Sequence, residues 1–219
     1  MAQQSTPAPS AIMEAQIQTS TIPKDAPVPS AIVTTSRLII RHMHPKDAPS
    51  MSLSANSPAV AKYMTIAFPN PYTIDSANTW IGMNFGNERP SHFVICEASS
   101  PDVIIGGIGL KLGSDVQSHT AEVGFWIGEK HWGKGYTTEA LEAFTEWSFE
   151  AWEGQDPQKP QRLERLWGGV FGGNIGSMRC FEKCDYTAEG VMKGHVKKHG
   201  ETLDLHLFGL TKEDWKARQ

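Results

Sequence analysis

A turn rich in glycine is the part of this sequence best suited to bind a phosphate group. Gly133 and Gly135 flank Lys134, directly after a strand-like alternating segment and directly before a strongly helical pattern. Glycines let backbone N–H groups converge where a side chain would block a ligand, and the N-terminus of a helix attracts anions. Lys130 and Lys134 can add positive charge. The turn therefore predicts a phosphate or pyrophosphate site, unless the glycines merely ease a strand into a helix.

Two common phosphate-binding motifs do not match this turn. A Walker A loop needs Ser or Thr directly after its lysine, where this chain has Gly135. The three-glycine dinucleotide fingerprint is absent as well. The turn therefore requires a different phosphate carrier.

Periodicity along the chain predicts an α+β domain with a largely antiparallel sheet, because short turns join several successive strands. The predicted order is β-α-α-β-β-β-α-β-α-β-β. Strands are predicted at 32–43, 92–98, 103–112, 120–128, 163–171, 186–196 and 202–210. Helices are predicted from Pro45 onward and at 57–64, 73–87, 137–152 and 174–183.

The first 30 residues differ from the rest in composition. They contain five prolines, four serines and three threonines, with few charged or large apolar side chains. Such a segment has little to bury, so we expect a disordered tail at 1–30 and one domain at 31–219. The tail has no arginine and no apolar core of a secretion signal, so the expected location is cytoplasmic.

Composition argues against several kinds of partner. The formal net charge is −4, with 20 basic and 24 acidic side chains, whereas nucleic-acid surfaces need a clustered basic excess. No apolar run approaches the roughly 18 residues of a membrane helix. The three cysteines have no further Cys or His at a matched metal-ligand spacing. We therefore expect no nucleic acid, no membrane and no metal.

Two segments of the chain resemble the GCN5-related N-acetyltransferase (GNAT) superfamily. Lys130-x-x-Gly133-x-Gly135 is similar to the acetyl-CoA signature of that family, which has Gln or Arg, two residues, Gly, one residue, then Gly or Ala. This chain departs from it at Lys130. The sequence from Trp132 to Tyr136, together with the Glu-Ala pair at 139–140, resembles that of the RimJ/RimL-like branch.

The second segment follows the first in the order typical of the family. Asn174-x-x-Ser177, followed by Phe181-Glu-Lys, is similar to the family pattern Asn-x-x-Ser and then Glu-Lys-x-Gly-Phe. Here Asp185-Tyr186 stands in place of Gly-Phe, so the turn could be less tight. Together the resemblance covers about residues 33–215.

The resemblance implies a GNAT fold, with helices flanking a mixed, mostly antiparallel sheet. Two neighbouring parallel strands, 120–128 and 163–171, would splay apart, and acetyl-CoA would lie in the gap as co-substrate. Backbone groups of β-strand residues would pair with its pantetheine arm, and amides of the turn would hold its pyrophosphate. The cofactor-binding residues it implies are Phe125, Trp126, Ile127, Lys130, Trp132, Gly133, Lys134, Gly135, Tyr136, Thr137, Asn174 and Phe181.

The implied reaction is direct attack of an amine on the acetyl thioester, which needs a base because an ammonium cannot attack. Glu122 is the predicted base, although it could instead bond backbone or a basic neighbour. Many family members protonate the leaving thiolate with a Tyr where this chain has Phe181. Ser177 is the predicted replacement, unless it only supports the helix start near Asn174.

The acceptor is the least determined part of the interpretation. Asp204 could hold the substrate amine, and Trp80 and Phe85 could line the acceptor pocket, although core packing would also explain both aromatic residues. A small-molecule amine or amino acid is the predicted acceptor. The alternatives are a peptide N-terminus, or a CoA-binding sensor that has lost catalysis. The protein could be a monomer or a homodimer.

Overall fold

The computed structural model describes residues 27–84, 90–154 and 161–218, which contain eight strands and six α-helices. The strands are β1 (Ala31–Thr34), β2 (Leu38–His42), β3 (His92–Glu97), β4 (Ser100–Leu112), β5 (Thr120–Ile127), β6 (Arg165–Phe171), β7 (Thr187–Lys198) and β8 (Glu201–Thr211). The helices are α1 (Ala48–Ala55), α2 (Pro58–Lys62), α3 (Ile74–Asn84), α4 (Tyr136–Glu150), α5 (Ile175–Lys183) and α6 (Lys212–Lys216). Short 3₁₀ turns lie at 45–47, 115–117 and 129–131.

All eight strands form one sheet in the order β1-β2-β3-β4-β5-β6-β8-β7. Every neighbouring pair is antiparallel except β5 and β6, which are parallel. The predicted fold class is therefore confirmed: helices flank a mixed, mostly antiparallel sheet that contains one parallel pair.

The parallel strands separate along their length. Pairing between β5 and β6 is limited to three positions and ends at Glu122 opposite Trp167. Beyond this point β5 continues to Ile127 and β6 to Phe171 without pairing to each other. The gap between them is the splay that the family resemblance implied.

Helices cover both faces of the sheet. On one face, α4 and α5 bury Leu141, Phe144 and Phe181 against alternate residues of the strands. On the other face, α1 and α3 bury a second cluster that includes Met51 and Ile81. Because side chains alternate along a strand, successive residues of β5 contribute to opposite faces, and both faces border the gap.

One predicted strand is wrong in its extent. The segment 32–43 forms two antiparallel strands, β1 and β2, and not one continuous strand. A tight turn at Thr35 separates the two strands. The Thr35 hydroxyl accepts a hydrogen bond from the Leu38 amide at 2.9 Å, and the Thr35 amide donates one to the Leu38 carbonyl at 2.9 Å. The turn lies in the polar run Thr34-Thr35-Ser36-Arg37, which interrupts the apolar alternation between Val33 and Leu38.

The predicted N-terminal tail lies mostly outside the described residues. Its last four residues, 27–30, form neither helix nor strand, and β1 begins at Ala31. The disordered tail therefore stays a prediction.

Candidate active site

A cavity of about 1720 Å³ occupies the gap between β5 and β6 and opens to both faces of the sheet. Most of the residues predicted from the sequence line this cavity. Lys130, Lys134 and Asp204 do not line it, and Phe85 lies outside the described residues. The predicted residues that line the cavity are Trp80, Glu122, Phe125, Trp126, Ile127, Trp132, Gly133, Gly135, Tyr136, Thr137, Asn174, Ser177 and Phe181.

The backbone of β5 presents hydrogen-bonding groups to the gap. The Gly128 amide donates to the Ile105 carbonyl of β4 at 2.8 Å, so backbone groups at even-numbered positions of β5 face β4. Those of Phe125 and Ile127 consequently face the gap. The Ile127 carbonyl accepts a hydrogen bond from the indole N–H of Trp132 at 2.7 Å. The Ile127 amide stays directed at the gap, where an extended ligand can pair with it.

The glycine turn presents a row of amides at the N-terminus of α4. Gly133 and Gly135 have φ angles of 75° and 78°, in the left-handed region that favours glycine. Within the described residues, the amides of Gly133, Lys134 and Gly135 have no hydrogen-bond acceptor. The first amides of α4 also lack intrahelical partners. The turn therefore has the backbone geometry of an anion site, with the cavity in front of it, and phosphate binding there stays a prediction.

Arg37 fixes this turn from a distant part of the chain. Its guanidinium donates to the Lys134 carbonyl at 3.0 Å and to the Glu139 carboxylate at 2.6 Å, and lies 4.9 Å from the centre of the Tyr136 ring. Glu139 also accepts a hydrogen bond from the Thr35 hydroxyl at 2.6 Å. Arg37 was not a predicted site residue, because nothing in its local sequence relates it to a turn almost 100 residues away.

Asn174 and Ser177 begin α5 at the edge of the cavity. The side-chain oxygen of Asn174 accepts a hydrogen bond from the Ser177 amide at 3.2 Å and so caps the helix. The Ser177 hydroxyl makes no hydrogen bond to any described residue. The helix start consequently uses the backbone of Ser177, and its hydroxyl remains available to a ligand.

Phe181 packs against the same cavity from within the core. Its side chain is 2% exposed, and its ring lies 5.4 Å from Phe125 and 5.1 Å from Tyr186. The ring fills the space beside Gly168, where an added Cβ atom would lie 2.1 Å from the Cζ atom of Phe181. A tyrosine at position 181 in this orientation would direct its hydroxyl at the backbone of β6.

Glu122 lies where the parallel pairing ends. Its carboxylate leans over Gly169 of β6, with Oε1 3.5 Å from the position of an added Cβ atom there. Burial raises the pKa of Glu122, and Lys111, whose Nζ atom lies 3.7 Å from Oε2, partly opposes that increase. The carboxylate is 28% exposed and borders the cavity. A carboxylate with a raised pKa in a cavity is suited to accept a proton near neutral pH.

His92 is a second titratable group on the face of the sheet that carries Glu122, and the sequence patterns did not single it out. It pairs with Gly109 across the β3–β4 ladder, and an added Cβ atom on Gly109 would lie 2.5 Å from the His92 ring. The Ser91 hydroxyl lies 3.1 Å from its Nδ1 atom. Burial lowers the pKa of His92, so its neutral form is favoured. Only the strand register brings His92 to the cavity, because His92 lies opposite Gly109, which in turn lies opposite Gly124.

Asp204 occupies a different environment from the one expected. It accepts hydrogen bonds from Lys193 at 2.8 Å and from the Gly194 amide at 2.9 Å, both in β7. These bonds lower the pKa of Asp204. The carboxylate thus holds an irregular part of the β7–β8 hairpin, and a role in binding the substrate amine stays a prediction.

The family assignment rests on a sequence comparison over most of the chain. Residues 37–187 match the model of the acetyltransferase (GNAT) domain. The chain belongs to the GNAT family. GNAT membership together with N-acetyltransferase relatives makes it an acetyl-CoA-dependent acetyltransferase.

Relatives and solved structures agree with this assignment. The uncharacterized N-acetyltransferase p20 of Bacillus licheniformis is 27% identical over 184 residues, which cover 83% of this chain and 96% of the relative. A GNAT-family acetyltransferase from Bacillus anthracis has a similar fold, with a TM-score of 0.70, 23% identity, and coverage of 83% of this chain and 98% of that one. RimL, the ribosomal L7/L12 alpha-N-protein acetyltransferase solved with coenzyme A, has a TM-score of 0.69, 14% identity, and coverage of 84% and 99%.

The GNAT fold binds acetyl-CoA, and the site of this chain fits that ligand. The amides of the turn suit its pyrophosphate, and the edge of β5 beyond Glu122, where β6 no longer pairs with it, suits its amide-containing arm. Arg179 and Lys183 of α5 are exposed and also line the cavity, where they can pair with phosphate groups. Neither residue was predicted, because both stand outside the signature motifs.

Two searches of the described residues gave negative results. No group of three or more His, Cys, Asp and Glu side chains in 27–84, 90–154 and 161–218 is arranged to hold a metal ion. In the same part of the chain, no helix is long and apolar enough to cross a membrane.

Proposed function

We propose that this GNAT enzyme transfers the acetyl group of acetyl-CoA to the primary amine of a small molecule by direct attack. The observation that carries the proposal is the position of Glu122. Its carboxylate stands at the mouth of the β5–β6 gap, on the face opposite α4 and the glycine turn. A cofactor held by the turn would therefore present its thioester between this carboxylate and Ser177.

The residues around the gap supply each proton transfer that the reaction needs. Acetyl-CoA would supply an acetyl thioester. The amine nitrogen bonds to the acetyl carbon first, and the C–S bond breaks when the resulting tetrahedral intermediate collapses. Glu122 removes a proton from the incoming ammonium. The Ile127 amide, which faces the gap, donates to the oxygen that gains negative charge. The Ser177 hydroxyl protonates the departing thiolate and recovers, through solvent, the second proton that the nitrogen loses as it becomes an amide, while Glu122 returns the first proton to solvent.

The cover over the cavity supports a small acceptor in preference to a protein N-terminus. The Tyr63 hydroxyl donates to the Gly173 carbonyl at 3.1 Å, which links the end of α2 to the β6–α5 turn. The buried ammonium of Lys198 donates to the carbonyls of Ala61, Lys62 and Met64 at 2.6, 3.0 and 2.6 Å. These contacts fix the segment after α2 over the gap, whereas a protein acceptor needs an open groove.

Placement on the RimJ/RimL-like branch is part of the same proposal. The support is the sequence around Trp132 and Tyr136, the serine at position 177 and the RimL-like fold. The Ser177 hydroxyl has no hydrogen-bond partner among the described residues, which agrees with a role in catalysis. RimL itself is a protein acetyltransferase by name, so the branch does not by itself choose the acceptor.

Thiol release from acetyl-CoA, measured against a panel of primary amines and short peptides, tests the proposal. Acetyl-CoA binding is measured in parallel by calorimetry. We expect release that depends on a small amine, and no release with peptides alone. Release only with peptides would identify a protein N-terminal acetyltransferase. Tight binding without release for any acceptor would support a CoA-binding sensor.

A further inference from the structure

The acceptor side of the cavity has the chemistry of a pocket for a flat apolar group. We propose that the acceptor is a primary amine attached to an aryl or similarly flat apolar body, of the arylalkylamine class. This inference rests on the proposed transfer at Glu122 and specifies the substrate class of that site. It comes from three features of the pocket, namely its floor, its walls and its charge.

The floor of the pocket is the backbone of β5 at Gly124, beside two glycines of β4 that aromatic rings cover. Gly109 of β4 lies opposite Gly124 of β5, and two residues further along each strand Gly107 lies opposite Trp126. An added Cβ atom on Gly124 would have no atom of the described residues within 4 Å, so space free of those residues lies directly above Gly124. Because residues 122, 124 and 126 share a face of β5, this space adjoins the Glu122 carboxylate.

Aromatic side chains form the walls around this floor. The His92 ring lies over Gly109, and Trp80 of α3 meets it edge-on with ring centres 5.0 Å apart. The Trp126 ring lies over Gly107, where an added Cβ atom would be 2.6 Å from the indole nitrogen, and Phe68 meets it edge-on at 6.0 Å. Flat walls of this kind bind flat apolar groups by stacking and by burial of surface.

The charge of the pocket disfavours a polyamine. Among the described residues that line the cavity, the only carboxylates are Asp75 and Glu122. Asp75 lies in the exposed first turn of α3, and Glu122 has Lys111 beside it at 3.7 Å. A polyamine brings several positive charges, each of which would need a carboxylate in place of water. One amine beside one carboxylate matches the site.

Equilibrium binding to the protein saturated with CoA tests this inference without requiring turnover. The probes are 2-phenylethylamine, hexylamine and spermidine, each titrated by calorimetry. Stacking on the aromatic walls predicts about tenfold tighter binding of 2-phenylethylamine than of either other amine. Equal or tighter binding of spermidine or hexylamine would overturn the inference. Thiol release with the same amines is read separately, so failure of acetyl transfer is distinguishable from failure of the pocket assignment.

A substitution in the floor gives a second test. Gly124→Val adds a side chain in open space, so the fold tolerates it while the pocket is filled. We expect about tenfold weaker binding of 2-phenylethylamine and unchanged binding of CoA. The matched control is Gly190→Val on β7, because a Cβ atom there also has no neighbour within 4 Å in the part of the chain that the structure describes. Equal amine affinity in the two variants would place the acceptor elsewhere.

Discussion

The Nζ atom of Lys111 lies 3.7 Å from the Oε2 atom of Glu122, at the last position where β5 pairs with β6. Two opposing effects therefore act on one carboxylate. Burial raises the pKa of Glu122 above its ordinary value of 4.5, and the positive charge of Lys111 lowers it. The balance determines the pH below which the proposed base is protonated and inactive.

Removing the lysine charge should shift the pH dependence of activity. In Lys111→Met the pKa of Glu122 rises further, so the acid limb of the kcat/KM profile moves to higher pH. The plateau at high pH should change little, because Glu122 is ionised there in both proteins. The control Lys111→Arg keeps the charge and should keep the limb in place. An unchanged limb in Lys111→Met would show that another group sets it.

Ser177→Ala should slow the chemical step without weakening cofactor binding. Loss of a proton donor costs about 10²-fold in kcat. The helix cap at α5 should survive, because the amide of residue 177 still donates to Asn174. Acetyl-CoA affinity by calorimetry should therefore match that of the native protein. Ser177→Thr, which keeps a hydroxyl, should recover part of the rate, and equal rates in both variants would exclude the proposed role.

Arg37→Ala should weaken acetyl-CoA binding by holding the turn less firmly. The Arg37–Glu139 pair is partly exposed, so we expect only about a fivefold increase in Kd, or ~1 kcal/mol. The KM of the amine should stay the same, because Arg37 lies on the cofactor side. Arg162→Ala is the matched control, since Arg162 is similarly exposed but lies away from the turn. An equal change in both variants would point to a general effect of charge.

Asp185→Gly should stabilise the fold. Asp185 has a φ angle of 63° directly after α5, a conformation in which a residue with a Cβ atom costs about 1 kcal/mol relative to glycine. We expect the free energy of unfolding to rise by about 0.5 to 1 kcal/mol in chemical denaturation. Glu182→Gly, inside α5, should lower it by about 1 kcal/mol. A loss of stability in Asp185→Gly would mean that contacts of the aspartate outweigh its backbone strain.

Local sequence predicted those parts of the site that a short segment forms by itself. The turn at Gly133 and Gly135 and the cap at Asn174 are of this kind, because glycine conformation and helix capping depend on neighbouring residues. The left-handed turn at Asp185 was visible only as a departure from the family pattern, which led us to expect a looser turn and not a strained one.

The other parts of the site depend on contacts between segments that are distant in the sequence. Arg37 reaches the turn only because α4 packs against β1 and β2, and His92 reaches the pocket only through the register of β3, β4 and β5. The break between β1 and β2 is a different case, because the polar run at 34–37, where the Thr35 hydroxyl closes the turn, was a local signal that the strand prediction passed over. Strand register and tertiary contacts of this kind leave no signal at short spacing.

The proposed role of Glu122 is tested most directly by measuring kcat and acetyl-CoA affinity in Glu122→Gln at neutral pH. Because burial disfavours the charged carboxylate, a neutral glutamine should not destabilise the fold at that pH, so a loss of rate would not reflect unfolding. We predict a decrease in kcat of about 10²-fold or more, with the Kd of acetyl-CoA within a factor of about two. A kcat within about threefold of the native value would contradict the assignment of Glu122 as the base.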